Sequence, residues 1–265
     1  MRLYPFVFII VSIEAKTRKY CNVISTDTTK NCYVKETLTS IPHSPNQLSV
    51  DLTTNTLYFS FDFGEGEYVP AVLNIDTKIL SVLKGVKDAF AMSNDPTTGE
   101  MYFGGSHGIY KYNSLKKSLA VPELRGDIVH QFVLDREDNI FFINGTGLFG
   151  IKQDTYEPIL LRDHPRFLGI ATDNNGHVHV CSEDGIFVVT KMVTKVQKVI
   201  SVQGVLGITF DKANNIVYSD SHEIVRLLPM SRENYYEQII SIYSCVVPHR
   251  QKKPSLNFMQ VFQNK

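Results

Sequence analysis

The sequence predicts an all-β protein, a β-propeller of four-stranded antiparallel blades, on three observations. An apolar strand, an aspartate, a polar turn and a second strand recur in that order five times. The repeated aspartates Asp51, Asp95, Asp135, Asp173 and Asp211 lie 44, 40, 38 and 38 residues apart, which is the spacing of a repeat architecture. The segments between them are rich in β-branched and aromatic residues and lack helical periodicity.

Each repeat predicts one blade. The first two strands and their turn are "QLSVDLTTNTLYFSF", "AMSNDPTTGEMYFGG", "QFVLDREDNIFFING", "GIATDNNGHVHVCSE" and "GITFDKANNIVYSDS". Third strands such as "GIFVVT" and fourth strands such as "KVQKVISV" follow after short turns. One twisted sheet cannot bury both of its faces, so neighbouring sheets must stack, and radial stacking closes into a propeller.

The two ends of the chain decide the blade number. Five complete blades span about residues 47–242, "CYVKETLTSI" at Cys32–Ile41 predicts a further outer strand, and "SCVVPHR" and "LNFMQVFQ" predict two more. We expect six blades, the sixth being irregular and assembled from both termini. Five blades with two extra edge strands remain the alternative.

The first fifteen residues, "MRLYPFVFIIVSIEA", predict a secretory signal peptide. Arg2 precedes an apolar run that is too short to span a bilayer, and Ala15 offers a cleavage point. The alternative is an apolar first strand. We therefore expect residues 16–265 to form a single propeller domain that is secreted and does not enter a membrane.

Four cysteines, Cys21, Cys32, Cys181 and Cys245, suit an oxidising compartment. Three pairings are possible. Cys21 and Cys32 bracket a polar, turn-rich loop and can close locally, which would leave Cys181 and Cys245 for a long-range bridge. Free, packed cysteines are the alternative. No CxxC motif is present to indicate zinc.

The charge balance bears on the partner. Lys plus Arg and Asp plus Glu number 27 each, so no electrostatic footprint for nucleic acid or an anionic membrane is present. The five repeated aspartates are expected to accept backbone N–H bonds within their turns, so none of them is assigned a catalytic role.

A binding face is predicted where the inner strands begin. In a propeller the loop before each inner strand and the turn between its second and third strands meet around the channel on one side. Five of the eight histidines fall there, interleaved with phenylalanines and one arginine. Such a face suits a flat, polar, partly anionic organic molecule. The candidate ligand-binding residues are His43, Gln47, Phe61, Phe90, His107, His130, His164, Arg166, Phe167 and His222.

A glycosylation sequon, "NGT", begins at Asn144 in one of these turns, so Asn144 is predicted to carry a glycan and is left out of the ligand set. Asp62, Asn144, Glu183 and Asp220 could converge on calcium as in a propeller hydrolase, but Gly104 and His107 interrupt that ring. No GxSxG, P-loop, GxGxxG or HExxH motif occurs. We expect no enzyme activity and no cofactor, with a calcium-dependent lactonase or esterase as the alternative.

The segment Cys32–Lys78 resembles the opening of the lepidopteran ommochrome-binding proteins. Its most specific part is Ile-Pro-x-Ser-Pro-x-Gln-Leu at Ile41–Leu48, followed by "TNTLYFS" at Thr54–Ser60. The resemblance implies a secreted, monomeric haemolymph protein whose partner is a small-molecule ommochrome pigment, a flat fused aromatic that bears amino-acid carboxylates. It carries over no motif of ligand residues. A protein-binding propeller is the other alternative. The segment "NIVYSD" resembles YWTD-like and NHL-like propellers, but the absence of tryptophan from the chain weakens that alternative.

Overall fold

The structure is a computed structural model. It describes residues 20–26, 30–41, 43–62, 68–83, 89, 91–95, 98, 100–105, 108–111, 119–120, 131–134, 139–152, 155, 157–162, 166–190 and 195–230. Every regular element in these ranges is a β-strand. No helix among them is long and apolar enough to cross a membrane.

The strands group into sheets that follow the repeats. The chain begins with β1 (Val23–Ile24) and β2 (Cys32–Ser40). The first repeat then forms a four-stranded sheet of β3 (Pro45–Asp51), β4 (Thr56–Asp62), β5 (Tyr68–Asn74) and β6 (Leu80–Val82). The second forms β7 (Ala91–Asn94), β8 (Met101–Gly105), β9 (Gly108–Lys111) and β10 (Leu119–Ala120). All pairings are antiparallel between sequence neighbours.

The third and fourth repeats have the same order. The third sheet holds β11 (Gln131–Leu134), β12 (Ile140–Asn144), β13 (Gly147–Ile151) and β14 (Ile159–Arg162). The fourth holds β15 (Gly169–Thr172), β16 (Val178–Ser182), β17 (Gly185–Thr190) and β18 (Lys195–Ile200). The meander expected for a propeller blade is confirmed.

The fifth sheet combines the two ends of the described chain. Its inner strands are β19 (Gly207–Phe210), β20 (Ile216–Ser219) and β21 (Glu223–Pro229), and the N-terminal β2 and β1 complete its outer edge. Strand β2 pairs with β21 along its length, from Tyr33 opposite Pro229 to Ser40 opposite Glu223. The outer strand predicted at Cys32–Ile41 is therefore confirmed.

The inner strands of the five described sheets contact one another in a closed cycle, β3 with β7, β7 with β11, β11 with β15, β15 with β19, and β19 with β3. The propeller arrangement is confirmed. Among the described residues the strand β2, which was expected in a sixth blade, completes the fifth sheet instead, and the number of blades stays a prediction. The two C-terminal strands predicted for that blade lie outside the described residues.

The repeated aspartates cap the turn between the first and second strands of each blade. The carboxylate of Asp51 accepts a bond from the backbone N–H of Thr53, at 2.8 Å. Asp211 accepts from the backbone N–H groups of Ala213 and Asn215, at 3.0 and 2.7 Å. Asp95 and Asp173 accept backbone N–H bonds in the same way. The predicted Asx role is confirmed at these four positions, and Asp135 lies outside the described residues.

The core lies between neighbouring sheets. One cluster joins Leu57, Phe59 and Leu73 of the first sheet to Val217 and Ile224 of the fifth. Others join the third to the fourth sheet and the fourth to the fifth in the same manner. Successive side chains of a strand point to opposite faces, and β16, β19 and β20 are buried at every position, so both faces of these blades are covered by neighbouring sheets.

Of the two disulfides predicted from the sequence, the structure contains the one between Cys21 and Cys32. Cys21 and Cys32 form a disulfide, with their Cα atoms 5.6 Å apart, and this bridge fastens the chain before β1 to the start of β2. Cys181 is a free, fully buried thiol in β16, so the long-range bridge from Cys181 to Cys245 is corrected. Its burial raises the pKa of the thiol far above the ordinary range. Cys245 itself lies outside the described residues.

Candidate functional site

Six of the ten predicted ligand-binding residues are described. They are His43, Gln47, Phe61, Arg166, Phe167 and His222. The other four, Phe90, His107, His130 and His164, lie outside the described residues. All six belong to the end of the propeller where the inner strands begin, which we call the channel mouth.

Three of the six come together between the first and fifth sheets. The rings of His43 and Phe61 stack with their centroids 6.3 Å apart and their planes at 23°. Phe61 in β4 pairs with Pro45 in β3 at the end of the first sheet that faces the channel mouth. The carbonyl of His222 accepts a 2.8 Å bond from the backbone N–H of Ile41, two residues before His43. The side chain of His222 is exposed. An aromatic shelf, His43 with Phe61, is therefore built at this junction.

Phe167 does not line the face. Its ring is only 8% exposed and packs with Val133 of the third sheet and Ile170 and Val180 of the fourth. An apolar residue directly before an inner strand fills the gap between two blades, which explains why it turns inward. The prediction of Phe167 as a ring open to ligand is corrected, whereas the neighbouring Arg166 is exposed.

Gln47 has an unusual backbone. Its φ is +58°, in the left-handed region that residues other than glycine and asparagine rarely adopt. The register between β3 and β4 shifts between Asn46 and Ser49, so Gln47 stands in a β-bulge. Its Oε1 is buried without a hydrogen-bond partner among the described residues. Bulges of this kind re-aim a side chain, and strained backbone concentrates at functional positions.

Two further polar groups at the channel mouth were not among the predicted site residues. Gln131, the first residue of β11, is fully buried, and its Oε1 accepts a 2.9 Å bond from the backbone N–H of Ile170 in the next blade. Its Nε2 has no partner in the described chain. Ser219, at the end of β20, is fully buried with an unpartnered Oγ.

The missed residues had a signal in the sequence. The first inner-strand position of the five repeats reads Gln47, Ala91, Gln131, Gly169 and Gly207. Strands favour β-branched and aromatic residues, so two glutamines and two glycines at one repeat position depart from the strand pattern. Comparison of that repeat position would have singled out Gln131 beside Gln47.

Two of the four residues considered for calcium, Asn144 and Asp220, accept bonds within their own turns. Asn144 Oδ1 accepts bonds from the N–H and the hydroxyl of Thr146, both at 2.8 Å. Asp220 Oδ1 accepts from the backbone N–H groups of His222 and Glu223, at 2.9 and 3.0 Å. In the part of the chain that the structure describes, no group of three His, Cys, Asp or Glu residues has the arrangement of a metal site.

A cluster of titratable residues lies at the end of the fourth sheet that is opposite the channel mouth. His177 Nδ1 lies 3.0 Å from Asp173 Oδ2, and His179 Nε2 lies 3.6 Å from the same oxygen, which is too long for a good hydrogen bond. Burial by itself would raise the pKa of Asp173, but the two imidazoles and the backbone N–H of His177 together lower it well below its usual range. These histidines stabilise a turn and stand apart from the channel mouth.

The fold defines a class, a β-propeller of four-stranded antiparallel blades, and its channel mouth carries the stacked His43–Phe61 pair and the exposed Arg166. Solved structures agree on the fold. A gluconolactonase from Xanthomonas campestris superposes with a TM-score of 0.56 at 10% identity, over 78% of this chain and 94% of the other. A glutaminyl cyclase from Myxococcus xanthus gives 0.51 at 10% identity, over 75% and 98%. At such identity these likenesses show the fold alone.

The sequence comparison is more specific. No protein-family model matches the chain. A curated relative, the ommochrome-binding protein of Manduca sexta, is 29% identical over an alignment that covers 76% of this chain and 89% of the relative. This match supports the ommochrome-binding protein family and confirms the resemblance carried by Cys32–Lys78.

Proposed function

We propose that this chain is a secreted, non-catalytic carrier that binds an ommochrome pigment at the channel mouth. The observation that carries the proposal is the stacked His43–Phe61 shelf, in a chain similar to an ommochrome-binding protein. A shelf of two rings offers an apolar surface on which an aromatic ligand can stack.

The chemistry of the shelf fits a flat fused aromatic. A ligand ring that covers His43 and Phe61 gains area burial and stacking together, and Arg166, exposed at the same end of the propeller, brings a positive charge that attracts a carboxylate. An imidazole in the stack also provides a hydrogen bond that an all-phenylalanine shelf would lack. The site therefore favours an aromatic ligand with acidic and polar substituents over a lipid or a sugar.

The test is a titration of the secreted protein with xanthommatin, followed by the visible spectrum of the pigment. We expect a saturable, one-site spectral change. His43→Ala or Phe61→Ala should weaken binding about tenfold, since a lost stacking contact is worth about 1 kcal/mol or more. The matched control is His177→Ala, which removes an exposed histidine at the opposite end of a blade and should leave affinity unchanged.

If the spectrum does not change at pigment concentrations on the order of tens of micromolar, the carrier function is contradicted. The same preparation would then be assayed for lactonase and esterase activity with and without a chelator. Activity lost in chelator would support the calcium-dependent hydrolase instead. If the protein neither binds pigment nor turns over these substrates, a protein-binding propeller is the remaining alternative.

Secretion and glycosylation belong to the same proposal. The Cys21–Cys32 disulfide fits an oxidising compartment. Expression in insect cells should place the protein in the medium with a mature N-terminus at or near Lys16, as read by N-terminal sequencing. A glycan on Asn144 should appear as a mass shift that a glycosidase removes and that Thr146→Ala abolishes. Retention inside the cells with residues 1–15 intact would contradict the secretory interpretation.

A further inference from the structure

Asparagine is followed directly by glycine at two places in the chain, Asn144–Gly145 and Asn175–Gly176. Glycine has no Cβ, so its backbone nitrogen can approach the side chain of the preceding residue closely. When that nitrogen attacks the amide carbon of an asparagine, a succinimide ring closes and ammonia is lost without an enzyme. The two pairs stand in different surroundings, and the surroundings decide which asparagine can react in the folded protein.

The side chain of Asn144 is held inside its own turn. Its Oδ1 accepts bonds from the backbone N–H and the hydroxyl of Thr146, both at 2.8 Å, and from the backbone N–H of Gly147 at 3.2 Å. Ring closure requires the side chain and the backbone around it to rotate, and that rotation breaks these bonds. The turn therefore protects Asn144 even where no glycan covers it.

Asn175 is exposed in the turn between β15 and β16, at the end of the fourth sheet opposite the channel mouth. Its backbone N–H donates to Asp173 Oδ1 at 2.9 Å, but its side-chain amide has no hydrogen-bond partner in the part of the chain that the structure describes. A Cβ on Gly176 would meet no atom within 4 Å, so the space beside that residue is open to water. The amide of Asn175 is therefore free to rotate.

One hydrogen bond restrains the attacking nitrogen. The backbone N–H of Gly176 donates to the carbonyl of Asp173 at 2.9 Å. This bond lies in a surface turn, and surface turns open locally far more often than the pairings inside a sheet. The reaction at Asn175 thus requires one turn to open, whereas the reaction at Asn144 also requires a bonded side chain to be released.

We propose that Asn175 is a site of spontaneous deamidation in the folded protein. The backbone nitrogen of Gly176 attacks Cγ of Asn175, a new C–N bond forms, and the side-chain nitrogen leaves as ammonia with the proton that the attacking nitrogen gives up. Water then opens the succinimide at either carbonyl and leaves aspartate or isoaspartate at position 175. Water is the only co-reactant, and nothing is oxidised or reduced.

The product affects the contact between the fourth and fifth sheets. Asn174, directly before the reacting residue, donates from its backbone N–H to Asn214 Oδ1 at 2.8 Å and from its side chain to the carbonyl of Asp211 at 3.2 Å. An isoaspartate adds a methylene to the backbone of this turn, and its carboxylate repels that of Asp173. Both changes displace the turn from its partners, so deamidation weakens the junction of the two blades.

The test ages the secreted Thr146→Ala protein at mildly alkaline pH, where the attacking nitrogen loses its proton more readily, and maps its peptides by mass spectrometry. The substitution removes the sequon, so Asn144 carries no glycan, while the backbone bonds to its Oδ1 remain. We expect the folded protein to deamidate at Asn175 about tenfold faster than at Asn144. In denaturant, where both turns are lost, the two sites should react at similar rates.

Asn175→Ser in the same background is the matched variant, because it keeps a small polar turn residue and removes the reactive amide. Ageing should lower the melting temperature of the parent protein and leave that of Asn175→Ser unchanged. Equal rates at Asn175 and Asn144 in the folded protein, or reaction of Asn175 in denaturant alone, would overturn the proposal. Deamidation at Asn175 without a lower melting temperature would uphold the site and overturn its effect on the blade junction. Neither measurement requires a ligand, so both are independent of the proposed function.

Discussion

At the residue scale, the repeated aspartate differs in its contacts and burial from one blade to another. Among the described residues, the side chain of Asp51 accepts bonds from Thr53 and Thr54 of its own turn. Asp211 has a side chain only 1% exposed, and its Oδ2 also lies 3.2 Å from the guanidinium of Arg226. The sequence pattern is the same at both positions, but burial and the arginine make the second carboxylate part of a charged network.

The first prediction compares these two aspartates. Asp211→Ala should lower the free energy of unfolding by about 3 kcal/mol, because it removes several hydrogen bonds and leaves part of the Arg226 charge uncompensated. Asp51→Ala, the matched control, should lower it by about 1 kcal/mol, the cost of a partly exposed turn cap. Chemical denaturation measures both. Equal losses would show that the Arg226 contact adds nothing.

The second prediction concerns Cys181. A thiol that is fully buried and whose pKa is raised by burial should resist alkylation in the native protein. Peptide mapping after pulse labelling should find Cys181 modified only in denaturant. Recovery of a Cys181–Cys245 disulfide peptide from non-reduced digests would contradict the free thiol and would support the bridge that the sequence predicts.

At the scale of elements, the N-terminal strand β2 is held by charges as well as by backbone pairing. Glu36 Oε2 lies 2.8 Å from the NH2 group of Arg226 in β21, the residue directly opposite. Glu36 Oε1 lies 3.3 Å from Lys78 Nζ, which follows β5 of the first sheet. Glu36 therefore ties the added strand both to its own sheet and to the neighbouring blade.

The third prediction is a pH dependence at this strand. Burial by itself would raise the pKa of Glu36, but Arg226 and Lys78 outweigh it and lower the pKa below the model-peptide value of 4.5. A carboxyl whose pKa is lower in the folded state contributes stability above its unfolded pKa, and that contribution disappears as the pH falls below it.

Glu36→Gln should accordingly cost about 1 kcal/mol at pH 7, and the difference from wild type should shrink as the pH falls below 4.5. Thermal melts of the two proteins across this range measure the difference. A constant difference at all pH values would contradict the ionic origin of the effect and assign it to packing.

At the scale of the whole molecule, the fifth sheet is built from strands of both ends of the described part of the chain. The last repeat supplies β19, β20 and β21, and β2 comes from before the first repeat. The Cys21–Cys32 bridge then fastens the start of β2. Closure of this kind removes the exposed edge of β21 and couples the first and fifth sheets through shared core residues.

The fourth prediction tests that closure. A chain that starts at Ile41 lacks β1 and β2 and exposes the edge of β21, so it should associate or aggregate and lose its cooperative melt. The control is a chain that starts at Tyr20, which retains both strands and the disulfide. Size-exclusion chromatography and circular dichroism compare them. A monomeric, cooperatively folded chain from Ile41 would show that the ring does not depend on β2.

The sequence by itself determined the blades, because strand alternation and turn chemistry are local and recur with the repeat. It also located the channel mouth, since strand order places the same loops of every blade at one end. Only the tertiary structure decided that Cys32–Ser40 joins the last sheet, that Phe167 enters the core and that Cys181 remains a free thiol. These outcomes depend on which blades become neighbours.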